Sequence, residues 1–275
     1  MTLRVTCDSP TPLMIAAEEN LHEHISLLQR TTPGMKVLDH EDLLLVDSGV
    51  ASDTFNKVAR TRIKDADADG RIEEVIAHFR LADRPFGWWV GPASKPVDLE
   101  ERLLRHGLAT GGQEPGMALE LRDLAARPSV PEGLKIQRVA TTKELTESCE
   151  VFAANWEPPD PAVMEFFTRC SAALLKADSP MRIFVAYLDG QPAATSEVLL
   201  GGRVAGLYGV ATKRKFRGRG IGSAISWAAA DHARRHGIAT IVLQASEAGR
   251  RVYSRLGFRE FCRFAEYTLL QSGSD

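Results

Sequence analysis

Five basic side chains and three glycines crowd into one stretch, Lys213-Arg-Lys-Phe-Arg-Gly-Arg-Gly-Ile-Gly222. Residues 204–211 before it are a short apolar run without helical period, which predicts a buried strand. After it, Ile221, Ala224, Ile225, Ala228, Ala229 and Ala233 recur at helical spacing, which predicts a helix over 221–236. The segment therefore reads strand, basic glycine turn, helix. The first amides of a helix have no internal acceptor and sit at the positive end of its dipole. Gly218, Gly220 and Gly222 let a ligand approach that backbone, and Lys213, Arg214, Lys215, Arg217 and Arg219 add positive charge. The combination predicts a phosphate or pyrophosphate site.

Known phosphate loops narrow the choice. A Walker loop needs Gly-Lys-Ser/Thr, whereas Gly222 is followed by Ser223-Ala224. A dinucleotide fingerprint needs Gly-x-Gly-x-x-Gly and a later acid for the ribose; the spacing here is Gly218-x-Gly220-x-Gly222, and residues 238–241 are apolar or small. Arg217-x-x-Gly220-x-Gly222 instead resembles the (Gln/Arg)-x-x-Gly-x-(Gly/Ala) signature of the GCN5-related N-acetyltransferases. Downstream, Tyr253-Ser-Arg-Leu-Gly-Phe258 is similar to the Tyr-x-x-x-Gly-Phe ending of that family, with an apolar strand over 239–245 between the two. The resemblance covers about half the chain, from near Leu134 to Leu270.

The resemblance implies an α/β (α+β) fold, a mixed and mostly antiparallel sheet flanked by helices, and a coenzyme A thioester as acyl donor. It implies acetyl-CoA as cofactor, coenzyme A as co-product, and direct transfer of the acetyl group to an amine of a small molecule or peptide. Carried over by position, Val210, Ala211 and Thr212 pair with the pantetheine arm. Arg217, Gly218, Arg219, Gly220, Ile221, Gly222 and Ser223 hold the pyrophosphate. Tyr253 protonates the leaving thiolate, a role that a phenol's ordinary pKa suits. Trp156, Glu157 and Asp160 lie in the segment that overhangs the acceptor in this family; as a rigid turn between helices they serve equally well. Glu197 is a candidate general base if strand parity turns it inward, and a one-residue slip turns it out. Gln244-Ala-Ser246 stands where the family often has an Asn before its last helix, although Ser246 can still cap that helix. Two alternatives stay open: an acyl-CoA-binding sensor or partner without turnover, and a transferase of longer acyl chains.

The chain of 275 residues, 44% hydrophobic and 25% charged, is long enough for two domains. Its net charge of −2 gives no basic field for nucleic acid. Cys7, Cys149, Cys170 and Cys262 share no metal or redox spacing and suit a reducing, cytoplasmic setting. The start, Met1-Thr-Leu-Arg-Val-Thr-Cys-Asp8, shows no apolar core of signal-peptide length, and no window approaches about 18 uninterrupted apolar residues, so no membrane span is expected. We expect domains at 1–124 and 134–275 with a linker at 125–133, and a monomer or homodimer.

In the first part, Leu13, Ala16, Ala17, Leu21, Ile25 and Leu28 predict an amphipathic helix behind Thr11-Pro12. Strands are expected at 35–38, 43–47, 56–63, around Trp88-Trp89 and at 117–121, with helices at 71–79 and 99–105. That order is similar to the last third of an acetyltransferase domain, but residues 1–125 hold no Arg/Gln-x-x-Gly-x-Gly turn, which implies a degenerate copy. Asp65-Ala-Asp-Ala-Asp-Gly70 copies half a calcium loop, yet Ile76 stands where the bidentate Glu belongs, so a helix-capping turn is expected and no metal. His232 and His236, with Arg234 and Arg235 between them, read as a solvated helix face rather than a metal site. In the second part strands are expected at 134–139, 182–188, 191–200 and 203–212, with helices at 142–155 and 162–177.

Overall fold

The computed structural model describes residues 9–269; Cys7 and the ends of both expected domains lie outside them. The first part contains α1 (Pro12–Thr31), β1 (Lys36–Asp39), β2 (Leu44–Asp47), β3 (Lys57–Ala59), α2 (Ala68–Leu81), β4 (Gly87–Val90), α3 (Leu99–Arg105) and β5 (Leu108–Glu120). The second contains β6 (Leu134–Arg138), α4 (Thr142–Ala153), α5 (Pro161–Leu174), β7 (Met181–Leu188), β8 (Gln191–Gly201), β9 (Val204–Thr212), α6 (Ile221–Arg235), β10 (Thr240–Gln244), α7 (Glu247–Leu256) and β11 (Arg259–Leu269).

All the strands join one sheet in the order β1-β2-β3-β4-β11-β5-β10-β9-β8-β7-β6. Pairing is antiparallel except at β3·β4 and β9·β10, one parallel pair in each part. The two terminal strands are exchanged. β11, from the second part, lies against β4 of the first, and β5, from the first, lies against β10 of the second. β5 and β11 then pair with each other, so a single hydrogen-bonded surface crosses the boundary.

Strand β5 is far longer than the five residues expected, because Gly111, Gly112, Pro115 and Gly116 read as breakers. Gly116 is there for space: a Cβ at that position would lie 2.3 Å from Cys262 Sγ on the neighbouring β11. β3 is shorter than expected, since Arg60 adopts a left-handed φ of 51° and ends the strand. α2 starts at Ala68 rather than residue 71, so Asp69 and Gly70 belong to its first turn.

The layers follow side-chain parity. On one face α1, α4 and α5 share an apolar cluster, in which Leu21, Ile25, Val163 and Phe166 meet Leu199, Tyr208, Val242 and Phe264 of the sheet. On the other face α6 and α7 cover Leu207, Ile241 and Leu243, while α2 and α3 cover Trp88, Ala265 and Tyr267. Trp88 is fully buried in this second layer, and Trp89, one residue on, faces the first. Helix α1 belongs to the first part in sequence but packs across β9 and β8 of the second. Among the described residues no helix is long and apolar enough to cross a membrane.

Candidate active site

The parallel strands β9 and β10 pair only at Ala205↔Ile241 and Gly206↔Val242. Beyond Gly206 they part, and β9 stays with β8. One extra residue is bulged into β9 between Tyr208, opposite Glu197, and Ala211, opposite Thr195. Gly209 sits in this bulge at φ 56°, and a Cβ there would meet Glu197 Oε1 at 2.8 Å. Only glycine satisfies both the dihedral and the close approach. Val210, Ala211 and Thr212 therefore form the end of a strand that has left its parallel neighbour and stays paired only with β8.

A tight turn follows, anchored by buried Phe216. Arg217 Nε donates to Thr212 O at 2.9 Å, which ties the turn back to the strand. Gly218 and Gly220 both take φ near +76°, and Gly220 is the N-cap of α6 without any side-chain cap. The first helical bond runs from Ala224 N to Gly220 O, so the amides of Ile221, Gly222 and Ser223 have no acceptor within the helix. Arg217 and Arg219 are exposed and join no ion pair among the described residues. Of the other cations, Lys215 reaches Gln191 at 2.8 Å and Arg214 stands 3.7 Å from Glu157.

Ser246 caps α7, its hydroxyl accepting from Gly249 N, so the helix starts without the family's Asn. On α7, Tyr253 is 8% exposed and packs edge-on against Phe258. Its hydroxyl has no hydrogen-bond partner among the described residues. Burial, and next the Glu114 carboxylate, push its pKa above the ordinary phenol value. It is therefore a phenol rather than a phenolate at neutral pH.

Glu197 points inward and is 7% exposed. His24 Nε2 of α1 lies 3.0 Å from Glu197 Oε2, within hydrogen-bond distance. The imidazole stacks on Tyr208, centroids 3.7 Å apart. Tyr208 donates its hydroxyl to Asn20 Oδ1 at 2.8 Å, and Asn20 Nδ2 donates to Val204 O at 2.9 Å and to Gly201 O at 3.2 Å. These bonds fasten α1 across β9 beside the bulge.

Glu114 lies on the same sheet face, two residues from Gly116. Ala245 N donates to Pro115 O at 3.0 Å and so holds Glu114 beside the end of β10. Its carboxyl is pushed up by burial and by Glu266, with Lys57 opposing. Lys57 is itself paired with Glu266 and lies 5.8 Å from the Trp89 ring centre.

Sequence reasoning missed His24, Asn20 and Glu114, all three contributed by the first part. One signal was available: Asn20 and His24 interrupt the apolar stripe of α1 at i, i+4 spacing. Of the expected acceptor residues, Asp160 caps α5 through Ala162 N at 2.9 Å, and Trp156 packs on Phe152. Glu157 alone of the three reaches the basic turn. His232 departs from the solvated face expected of it: it packs against Phe184, and burial lowers its pKa to about 4. Among the described residues no three His, Cys, Asp or Glu side chains are grouped as for a metal ion.

Residues 143–258 match the family model described as the acetyltransferase (GNAT) family. No curated protein sequence matches the chain. Among solved structures, a GCN5-related N-acetyltransferase from Kribbella flavida superposes with a TM-score of 0.70 at 20% identity, covering 94% of this chain and 96% of that one. A GCN5-related N-acetyltransferase from Sphaerobacter thermophilus gives 0.59 at 17% identity, over 94% and 93% of the two chains. A tandem GNAT protein from the clavulanic acid biosynthesis pathway gives 0.56 at 17% identity, over 94% and 98%. At these identities the likeness is one of fold, and it runs the length of both parts.

Proposed function

Because residues 143–258 belong to the acetyltransferase (GNAT) family, we propose that the protein transfers the acetyl group of acetyl-CoA to an amine. The supporting observation is the mouth of α6. A left-handed glycine N-cap, first-turn amides without helical acceptors, and the exposed Arg217 and Arg219, neither in an ion pair among the described residues, stand at the point where β9 and β10 separate. Such a mouth suits a pyrophosphate. The residues Arg217, Gly218, Arg219, Gly220, Ile221, Gly222 and Ser223 would hold it, and the free end of β9 at Val210, Ala211 and Thr212 would line the pantetheine arm. When bound, the thioester supplies the activated acetyl group.

The chain's own residues cover the remaining needs. An amide on the free end of β9 can donate to the carbonyl oxygen as it gains charge. The unpartnered Tyr253 hydroxyl, kept protonated by burial, gives its proton to the departing sulfur. The inward carboxylate of Glu197 drives removal of the proton that the amine must lose before attack.

Calorimetric titration of acetyl-CoA into the protein tests the donor. A thiol-release assay with spermidine, glucosamine and a dipeptide as acceptors tests the transfer. The expected outcome is one donor site per chain and thiol release that depends on one of the amines. Binding without release would reduce the protein to an acyl-CoA sensor.

A further inference from the structure

The proton-accepting group need not be the carboxylate, because the geometry around Glu197 is that of a dyad. We infer that the general base is Nδ1 of His24, contributed by the first part, and that Glu197 is the residue that positions it; this rests on the transfer reading above. Glu197 can only accept when ionised, so the Nε2 that faces it at 3.0 Å carries the ring proton. The neutral ring then has its lone pair on Nδ1. That atom is buried and has no hydrogen-bond partner among the described residues. An orphaned buried acceptor costs stability and persists where something outside the protein satisfies it. The side chain as a whole remains 21% exposed, so it is not sealed into the core.

Two further contacts fix the ring. Stacking on Tyr208 sets its plane, and the Tyr208–Asn20 bond sets the tyrosine. Tyr208 lies immediately before the Gly209 bulge, where β9 begins its free end. A carboxylate that fixes the imidazole tautomer and leaves the opposite nitrogen basic is the logic of hydrolase triads, here spread over two parts of one chain.

The protons balance. An ammonium acceptor loses its first proton to His24 Nδ1, and the neutral amine attacks the thioester carbonyl carbon. As the tetrahedral adduct collapses the C–S bond breaks and Tyr253 protonates the sulfur. The second proton leaving nitrogen restores Tyr253. His24 returns its proton to water, so one proton is released for each acetyl group transferred.

The test compares two acceptors, the best amine of the panel above and hydroxylamine, which is already uncharged at neutral pH and needs no base. His24→Gln is expected to lower kcat on the amine about a hundredfold. Its rate with hydroxylamine should stay within a few fold, and calorimetry should show unchanged acetyl-CoA binding. Added imidazole should restore part of the amine rate in His24→Ala. Glu197→Gln, which keeps the imidazole, should lose less than His24→Gln. Equal losses on both acceptors would reduce His24 to a structural role and overturn the inference. A larger loss in Glu197→Gln would move the proton to the carboxylate and also overturn it. A wild-type protein that binds acetyl-CoA but acetylates no acceptor would instead sink the transfer reading, and this one with it.

Discussion

Each part of the chain leads a parallel strand pair into a helix, and the two helix mouths have opposite character. In the second part, β9 and β10 separate after two residue pairs, and α6 opens with glycines and with two exposed arginines that join no ion pair among the described residues. In the first, β3 and β4 also pair at two positions, Lys57↔Gly87 and Val58↔Trp88, but the chain then closes the gap again. Arg62 bridges to Lys95, Lys95 N donates to Thr61 O at 3.0 Å, and Trp88 Nε1 donates to Thr61 Oγ1 at 2.9 Å. The mouth of α2 is occupied by the chain's own acids. Asp65 and Asp69 pair with Arg102, and His106 adds a contact to Asp69 at 2.9 Å. A helix dipole accepts either solution, since side-chain carboxylates and a bound phosphate stabilise the same end. One topology therefore yields an open, basic helix mouth or a closed, acidic one depending on the few residues at the turn, and fold alone does not decide which.

The largest expected effect comes from separating the two parts. If each is completed by the other's terminal strand, residues 1–124 and 134–275 expressed alone should be unfolded or aggregated, each having lost its partner along β5 and β11. Co-expression should recover soluble complex, as judged by circular dichroism and size exclusion. Two independently folded halves would break the picture of a shared sheet.

Next is the charge contrast between the mouths. Arg217→Glu with Gly220→Glu should weaken acetyl-CoA binding by about a hundredfold or more, by placing carboxylates and a strained left-handed residue at α6. Arg102→Ala at the other mouth should lower Tm slightly and leave the calorimetric stoichiometry unchanged. A second binding site that survives the double variant would show that the first mouth is not closed.

Tyr253→Phe separates binding from chemistry. It should lower kcat on the order of a hundredfold while acetyl-CoA affinity stays the same within about twofold. An unchanged kcat would leave Tyr253 as packing only.

The smallest effect sharpens the idea that the charges gathered around β2 and α2 serve the fold. Asp47 is 2% exposed and accepts from Arg84 at 2.7 Å and from His78 at 3.1 Å. Burial opposes its ionisation, but Arg84, the Gly49 amide and His78 outweigh it and hold its pKa below the ordinary carboxylate value. Its contribution is present above the unfolded-state pKa and is lost as pH falls through the lower folded-state value. Asp47→Asn should cost about 2 kcal/mol at neutral pH, a penalty that shrinks on acidification, with acetyl-CoA affinity unaffected. Urea unfolding of both proteins across acid pH measures it.

The parts of the site that were legible in the sequence are those carried by contiguous residues. Arg217 to Ser223 lie on one turn, and Tyr253 lies on one short helix, so local spacing was enough. Glu197 was half legible: strand parity allowed two faces, and the bulge at Gly209 together with packing against α1 chose the inward one. β5 was hidden because its glycines and proline read as a loop, whereas they make room for β11.

The sequence by itself determined the strand–turn–helix with its glycine-capped, basic helix mouth and the order of elements around it, because those depend on backbone geometry within a few residues. Only the tertiary structure decided that the terminal strands change places, that α1 crosses to the other part, and that His24 and Glu114 stand beside Glu197 and Tyr253. Those contacts join residues more than a hundred positions apart. They are fixed by which apolar faces and unpaired strand edges find each other when the sheet closes, and no local periodicity encodes that choice.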